Sequence, residues 1–166
     1  MNATAATEIH IAAATPADVP VIHTLIRELA AFERLLDEAK ATEEQLHEGL
    51  FGARPSAEVI IARVGGEVAG FALFFHNFST FVGKPGLYLE DLYVRQQFRG
   101  QGYGEAILRH LGRLALERGC GRFEWSVLDW NQRAIDFYKS LGAQPMSEWT
   151  LFRLSGDSLA RLGEES

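Results

Sequence analysis

The stretch from Leu87 to Gly119, LYLEDLYVRQQFRGQGYGEAILRHLGRLALERG, restricts the fold more than any other part of the chain. Leu87 to Val94 is an apolar run of strand character with an acidic pair, Glu90-Asp91, set in it. Gly100, Gly102 and Gly104 follow at every second position, and a helix is expected from about Gly102 to Arg118. Its residues Ile107, Leu108, Leu111, Leu114 and Ala115 recur at helical spacing and mark one buried face, and Gly119 closes it as a C-cap. A helix N-terminus exposes backbone N–H groups and carries a partial positive charge. Glycines ahead of it let the backbone approach an anion without side-chain interference. This stretch is therefore expected to bind phosphate.

Two phosphate motifs are excluded. The dinucleotide fingerprint G-x-G-x-x-G is met by Gly100 and Gly102, but its third position holds Glu105. The nucleotide P-loop needs Gly-Lys followed by Ser or Thr, and no lysine is present here. What remains is Arg99-x-x-Gly102-x-Gly104, directly after a strand.

The rest of the chain supplies the frame. Glu8 to Ala14 reads as a strand. Thr15 is expected to cap a helix that has Pro16 at its first position and Asp18 at the capping-box position. A short second helix is expected from Thr42 to about Leu50. Ala57–Val64 and Glu67–Phe75 pair as a hairpin across Gly65-Gly66, where a tight turn needs positive φ. His76 to Gly86 reads as a loop rich in Phe. Arg122 to Leu128 is a strand, a helix follows with Asn131 near its start and Gly142 just past its end, and EWTLFRLS reads as a closing strand. The order β-α-α-β-β-β-α-β-α-β mixes hairpins, which pair antiparallel, with crossovers, which pair parallel. A mixed sheet with helices on both faces follows.

With 166 residues, 47% of them apolar, the chain fits one domain with a proper core. A net charge of −6 points away from nucleic acid, whose binders carry a basic face. The N-terminal residues lack a basic start followed by an apolar core, and no apolar run approaches the roughly 20 residues of a membrane span. A cytoplasmic protein without a membrane partner is expected. Cys120 is the only cysteine, so neither an internal disulfide nor a cysteine-based zinc site is possible. His10, His23, His47, His76 and His110 show no ligand spacing, and no metal is expected.

LYVRQQFRGQGYGEAIL resembles the acyl-CoA-binding motif of the GNAT N-acetyltransferases. YLEDLYV, WNQRAIDFYKSLGA and RELAAFE resemble the branch that acetylates spermidine and spermine and includes enzymes acting on thialysine, a lysine analogue. The likeness runs from about Ile9 to Leu154. It implies the GNAT fold: an α/β (α+β) domain over residues 8–155 with a mixed, mostly antiparallel sheet of about seven strands and helices on both faces. Residues 1–7 would be disordered and residues 156–166 a C-terminal helix or tail. It implies acetyl-CoA as co-substrate, a small-molecule amine as acceptor, and a homodimer.

By the same resemblance, Arg99, Gly102 and Gly104 wrap the pyrophosphate of coenzyme A, with the backbone of Gly100, Gln101, Tyr103 and Glu105 donating beside them. Leu92, Tyr93 and Val94 lie along the pantetheine. Asn131, Arg133 and Ala134 match further coenzyme contacts, although the branch often has proline where Arg133 stands, and Asn131 also suits an N-cap.

Transfer from a thioester to an amine requires that the amine lose a proton and that the leaving thiolate gain one. Ile135, Tyr138 and Leu141 share a helical stripe. A tyrosine titrates near about 10 and a thiol near about 8.5, so Tyr138 stays protonated at neutral pH and can assist the thiolate. The family has a tyrosine in this role. Glu90 and Asp91 are neighbours on a strand and point to opposite faces, so one of them faces the cleft. The resemblance places Glu90 at the amine, as a base that relays a proton through water. It adds Phe32, Glu33, Glu148 and Trp149 as acceptor-binding residues. Separated carboxylates suit a substrate with several ammonium groups. The branch has a tyrosine where Phe32 stands, so a phenol hydroxyl is missing from the acceptor wall.

A diamine or polyamine is the expected acceptor, with thialysine or another lysine-like amino acid as the alternative. A non-catalytic acyl-CoA-binding module and an enzyme acting on protein lysines or N-termini are the other readings.

Overall fold

Three short-range devices set the first elements in the computed structural model, which describes residues 8–164. The Thr15 backbone N–H donates to Asp18 Oδ2 at 2.8 Å, and a 3-10 turn at Pro16–Asp18 runs into helix α1, Val19–Phe32. The Thr42 N–H donates to Gln45 Oε1 at 3.0 Å while the Gln45 N–H donates to Thr42 Oγ1 at 3.1 Å, which opens α2, Glu43–Phe51. Gly65 and Gly66 carry φ of 59° and 83° and turn strand β2 (Glu58–Val64) back into β3 (Glu67–Ser79).

The chain forms two compact units, one ending at Ser126 and the other beginning at Val127. In the first, β1 (Ile9–Ala13), β2, β3, β4 (Lys84–Val94) and β5 (Arg122–Trp125) form one sheet in sequence order. All neighbours are antiparallel except β4 and β5, which are joined through helix α3, Tyr103–Glu117, and lie parallel. Ile22, Leu25 and Leu29 of α1 and Leu50 of α2 pack with Val59, Ile61, Phe71 and Tyr93 on one face of the sheet. Ile60, Ala72 and Phe74 alternate with these and are buried too, so both faces are covered. Arg118, just past α3, lies over the Phe74 ring at 5.8 Å and pairs with Glu58 at 2.6 Å, which puts the end of α3 on that second face.

The mixed, mostly antiparallel sheet with helices on both faces agrees with expectation, but among the described residues it has five strands rather than about seven. EWTLFRLS forms no strand. Its alternation supplies a strand's faces, but a strand also needs a ladder partner. The regular elements of the second unit, among the described residues, are the helices α4 (Gln132–Ser140) and α5 (Gly156–Glu164). Likewise β5 stops at Trp125 rather than Leu128, because its ladder with β4 ends there. The segment read as a loop, His76–Gly86, is mostly hairpin: Asn77 pairs with Gly86 and Phe78 with Pro85, and the turn is confined to residues 80–83. Glycine and proline obscured that pairing; Pro85 stands beside the start of β5, where its carbonyl accepts from the Gly121 N–H at 2.9 Å. The N-terminal segment expected to be disordered lies outside the described residues.

Candidate active site

The site is built where β4 loses one neighbour. β5 pairs with β4 only from Gly86 to Leu89, so from Glu90 to Val94 the strand has β3 alone beside it. Leu92, Tyr93 and Val94 stay in the β3 ladder, opposite Ala72, Phe71 and Gly70. Among the described residues, no strand of the sheet pairs with their other edge, and the Val94 carbonyl accepts from Arg99 Nε at 2.9 Å. Gly70 is needed for that close pairing: a Cβ there would lie 2.3 Å from the Tyr93 carbonyl oxygen.

A bulge interrupts β4 at the acidic pair. Leu73 pairs with Asp91 and Phe74 with Leu89, so Glu90 is the extra residue. Strict alternation therefore fails at this point. Glu90 is exposed and Asp91 is half-buried. Burial, then the charges of Glu90 and Glu33, push the Asp91 carboxyl up to about 7. Burial also raises Glu33, which follows the last residue of α1. Three acids from two elements thus interact at one place. Asp91 is the member that sequence reasoning named but did not select, because alternation alone left open which of the pair faces inward.

Just beyond β4 the chain makes a 3-10 turn at Gln96–Phe98 and enters the glycine segment. Gly100 and Gly102 have φ of 77° and 82°, and Gly102 is the N-cap of α3. No side chain caps this helix, and the first backbone bond back is from the Ala106 N–H to the Gly102 carbonyl at 3.0 Å. The N–H groups of its first turn are therefore without intrahelical partners. A Cβ on Gly100 or Gly102 would meet nothing within 4 Å, so space lies in front of the backbone. An uncapped helix start, open space and the adjacent Arg99 fit the phosphates of a coenzyme.

Arg99 has its own arrangement. Its Nε donates to the Val94 carbonyl at 2.9 Å, and its guanidinium carbon lies 4.5 Å from the Phe32 ring centre and 5.5 Å from that of Tyr93. One turn earlier on each side, Arg95 donates to Glu28 Oε2 at 3.0 Å and 3.2 Å. Phe32, Glu33, Glu90, Asp91, Tyr93 and Arg99 are thus assembled within the first unit.

The second unit carries the remaining expected residues. The Ala134 N–H donates to Asn131 Oδ1 at 3.3 Å, so Asn131 is the N-cap of α4. Arg133 is exposed, whereas Ala134 and Tyr138 are half-buried. The Tyr138 and Phe137 ring centres are 5.8 Å apart. Gly142 closes α4 at φ 92°, with the Ala143 N–H bonded to the Tyr138 carbonyl at 3.1 Å. Glu148 and Trp149 lie in irregular chain. No group of three or more His, Cys, Asp or Glu that could hold a metal occurs among the described residues. None of the described helices is long and apolar enough to cross a membrane.

Comparison with known proteins bears on the same residues. Residues 23–143 match the Acetyltransferase (GNAT) family. The thialysine N-epsilon-acetyltransferase of Bos taurus is 39% identical, with 93% of this chain and 96% of that protein covered. The L-ornithine N5-acetyltransferase of Arabidopsis thaliana is 36% identical over 88% of this chain and 84% of that one. Spermidine/spermine N(1)-acetyltransferase-like protein 1 of Homo sapiens is 34% identical over 99% of this chain but only 25% of its own length. An integron cassette protein from the mobile metagenome of V. cholerae superposes with a TM-score of 0.80 at 28% identity, covering 95% of this chain and 98% of that one.

Proposed function

Because this chain belongs to the GNAT family and is an N-acetyltransferase, we propose that it acetylates the terminal primary amine of a small cationic molecule, using acetyl-CoA as donor. The observation that carries the acceptor class is the acid group Glu33, Glu90 and Asp91, placed where β4 parts from β5. Carboxylates at several points hold an extended chain that bears more than one ammonium.

When bound, acetyl-CoA supplies the activated acetyl group. The backbone from Gly100 to Glu105 and the Arg99 guanidinium hold its phosphates, and the free edge of Leu92–Val94 aligns the chain that leads to the sulfur. By the family resemblance, Asn131, Arg133 and Ala134 add further coenzyme contacts. Asp91 removes the proton from the ammonium group, since a carboxyl near neutrality is half-ionised at working pH. Glu90, solvated at the bulge, and Glu33 anchor the cation. Tyr138 hands a proton to the departing sulfur. Thiolates leave with little help, so Tyr138→Phe is expected to lower kcat about tenfold while leaving acetyl-CoA affinity unchanged. An unaltered kcat would remove Tyr138 from this role.

Two acceptor types fit the acid group. Diamines and polyamines present ammonium groups at both ends. Lysine-like amino acids present one side-chain amine, and the relatives named for thialysine and ornithine favour them. The test is release of free thiol from acetyl-CoA with putrescine, spermidine, spermine, lysine, ornithine and thialysine. At least one should turn over faster than an uncharged-chain monoamine. No release with any of them would overturn the proposal.

A further inference from the structure

The end of α1 and the glycine segment are clasped by two contacts at matching spacing. Glu28 and Phe32 lie four residues apart on α1, and Arg95 and Arg99 lie four apart after β4. Glu28 takes Arg95 as an ion pair at 3.0 Å, and the Phe32 ring takes the Arg99 guanidinium at 4.5 Å. No carboxylate forms a salt bridge with Arg99 among the described residues, so its charge is available to an anion. The side chain is aimed from three directions: the Val94 carbonyl fixes Nε, Tyr93 lies on one side, and Phe32 covers the guanidinium. Phe32 precedes Glu33, so the ring joins the acceptor's acids to the donor's phosphate loop.

We propose that Phe32 is a positioning residue for the donor: its ring holds Arg99 ready for the coenzyme phosphates, so a side chain on the acceptor wall sets acetyl-CoA affinity. This rests on the assignment of the glycine segment to acetyl-CoA. An arginine without the ring samples more rotamers, and binding then has to order it. A phenol ring serves as well as a phenyl ring, because the contact is to the aromatic face. Leucine retains apolar bulk and loses that face. Phe32 is 45% exposed, so these changes leave the core intact.

The test is titration of acetyl-CoA by calorimetry, without amine, for wild type, Phe32→Leu, Phe32→Tyr, Arg99→Gln and the double variant Phe32→Leu with Arg99→Gln. Phe32→Leu is expected to raise Kd roughly threefold to tenfold, and Phe32→Tyr to keep the wild-type value. In the Arg99→Gln background, Phe32→Leu should add nothing, because the two residues act as one unit. Wild-type affinity in Phe32→Leu, or additive losses in the double variant, would overturn the positioning role while leaving the donor assignment standing. Failure of the wild type itself to bind acetyl-CoA would overturn both.

Discussion

Gly102→Val should raise the Kd for acetyl-CoA by about one to two orders of magnitude and shift Tm far less. The reason is conformational. Gly102 has φ 82° and ψ 11°, a left-handed geometry that costs an L-residue roughly 1–2 kcal/mol and a β-branched one more. Nothing lies within 4 Å of a Cβ at this position, so the fold itself suffers no clash. The segment relieves the strain by moving, and the N–H groups at the start of α3 no longer converge on one anion. Gly104 provides the contrast: its φ is not positive, and a Cβ there would make only an ordinary 3.9 Å contact with Val94 Cγ2. Gly104→Ala should therefore keep its coenzyme affinity. Isothermal titration with acetyl-CoA checks both variants. Undiminished affinity in Gly102→Val would contradict the phosphate-loop assignment.

Asp91→Asn should lower kcat/KM for the amine by roughly a hundredfold at pH 7.5, within the range for loss of a proton acceptor. In the wild type, Asp91 must be ionised to accept a proton, so kcat/KM should rise with pH through about 7. That limb should vanish in the variant. Glu90→Gln should weaken amine binding with a smaller loss in kcat. If Glu90→Gln abolishes turnover and Asp91→Asn does not, the proton passes through Glu90 instead.

The same substitution carries a stability signature of known sign. The folded pKa of about 7 lies above the ordinary aspartate value near 3.9. Between those values the unfolded chain has lost its proton while the native protein keeps it. Stability therefore falls as pH rises from about 4 to about 7 and then levels off. Three units correspond to at most about 4 kcal/mol. Asp91→Asn should melt higher than wild type at pH 8, with the difference gone at pH 4. A variant less stable at pH 8 would show that the carboxylate is compensated in the native protein.

The parts of the site that depend on chain neighbours were legible in advance. Asn131 caps α4, Gly119 and Gly142 end their helices, and Gly102 starts α3, all as read from residues within a few positions. The glycine segment was read as the start of a helix, and its motif placed the chain in its family. The parts that depend on strand pairing were not legible. The bulge at Glu90 arises from the register of β3 against β4, which neither strand's own sequence sets. The hairpin through Asn77 and Gly86 was hidden by turn-forming residues, and EWTLFRLS had a strand's pattern without a strand's partner.

The sequence by itself determined the strand–glycine–helix unit, the helix caps and the hairpin at Gly65-Gly66, because φ preferences and capping bonds act over a few residues. Its strand–glycine–helix motif also carried the resemblance to the GNAT family, which the family match bears out. Only the tertiary structure decided which carboxylate of Glu90-Asp91 is buried, that Glu33 interacts with it, and that Arg99 rests on Phe32. Those facts depend on residues far apart in the chain being brought together. Desolvation and charge coupling exist only once the β4 bulge and the end of α1 share one low-dielectric place.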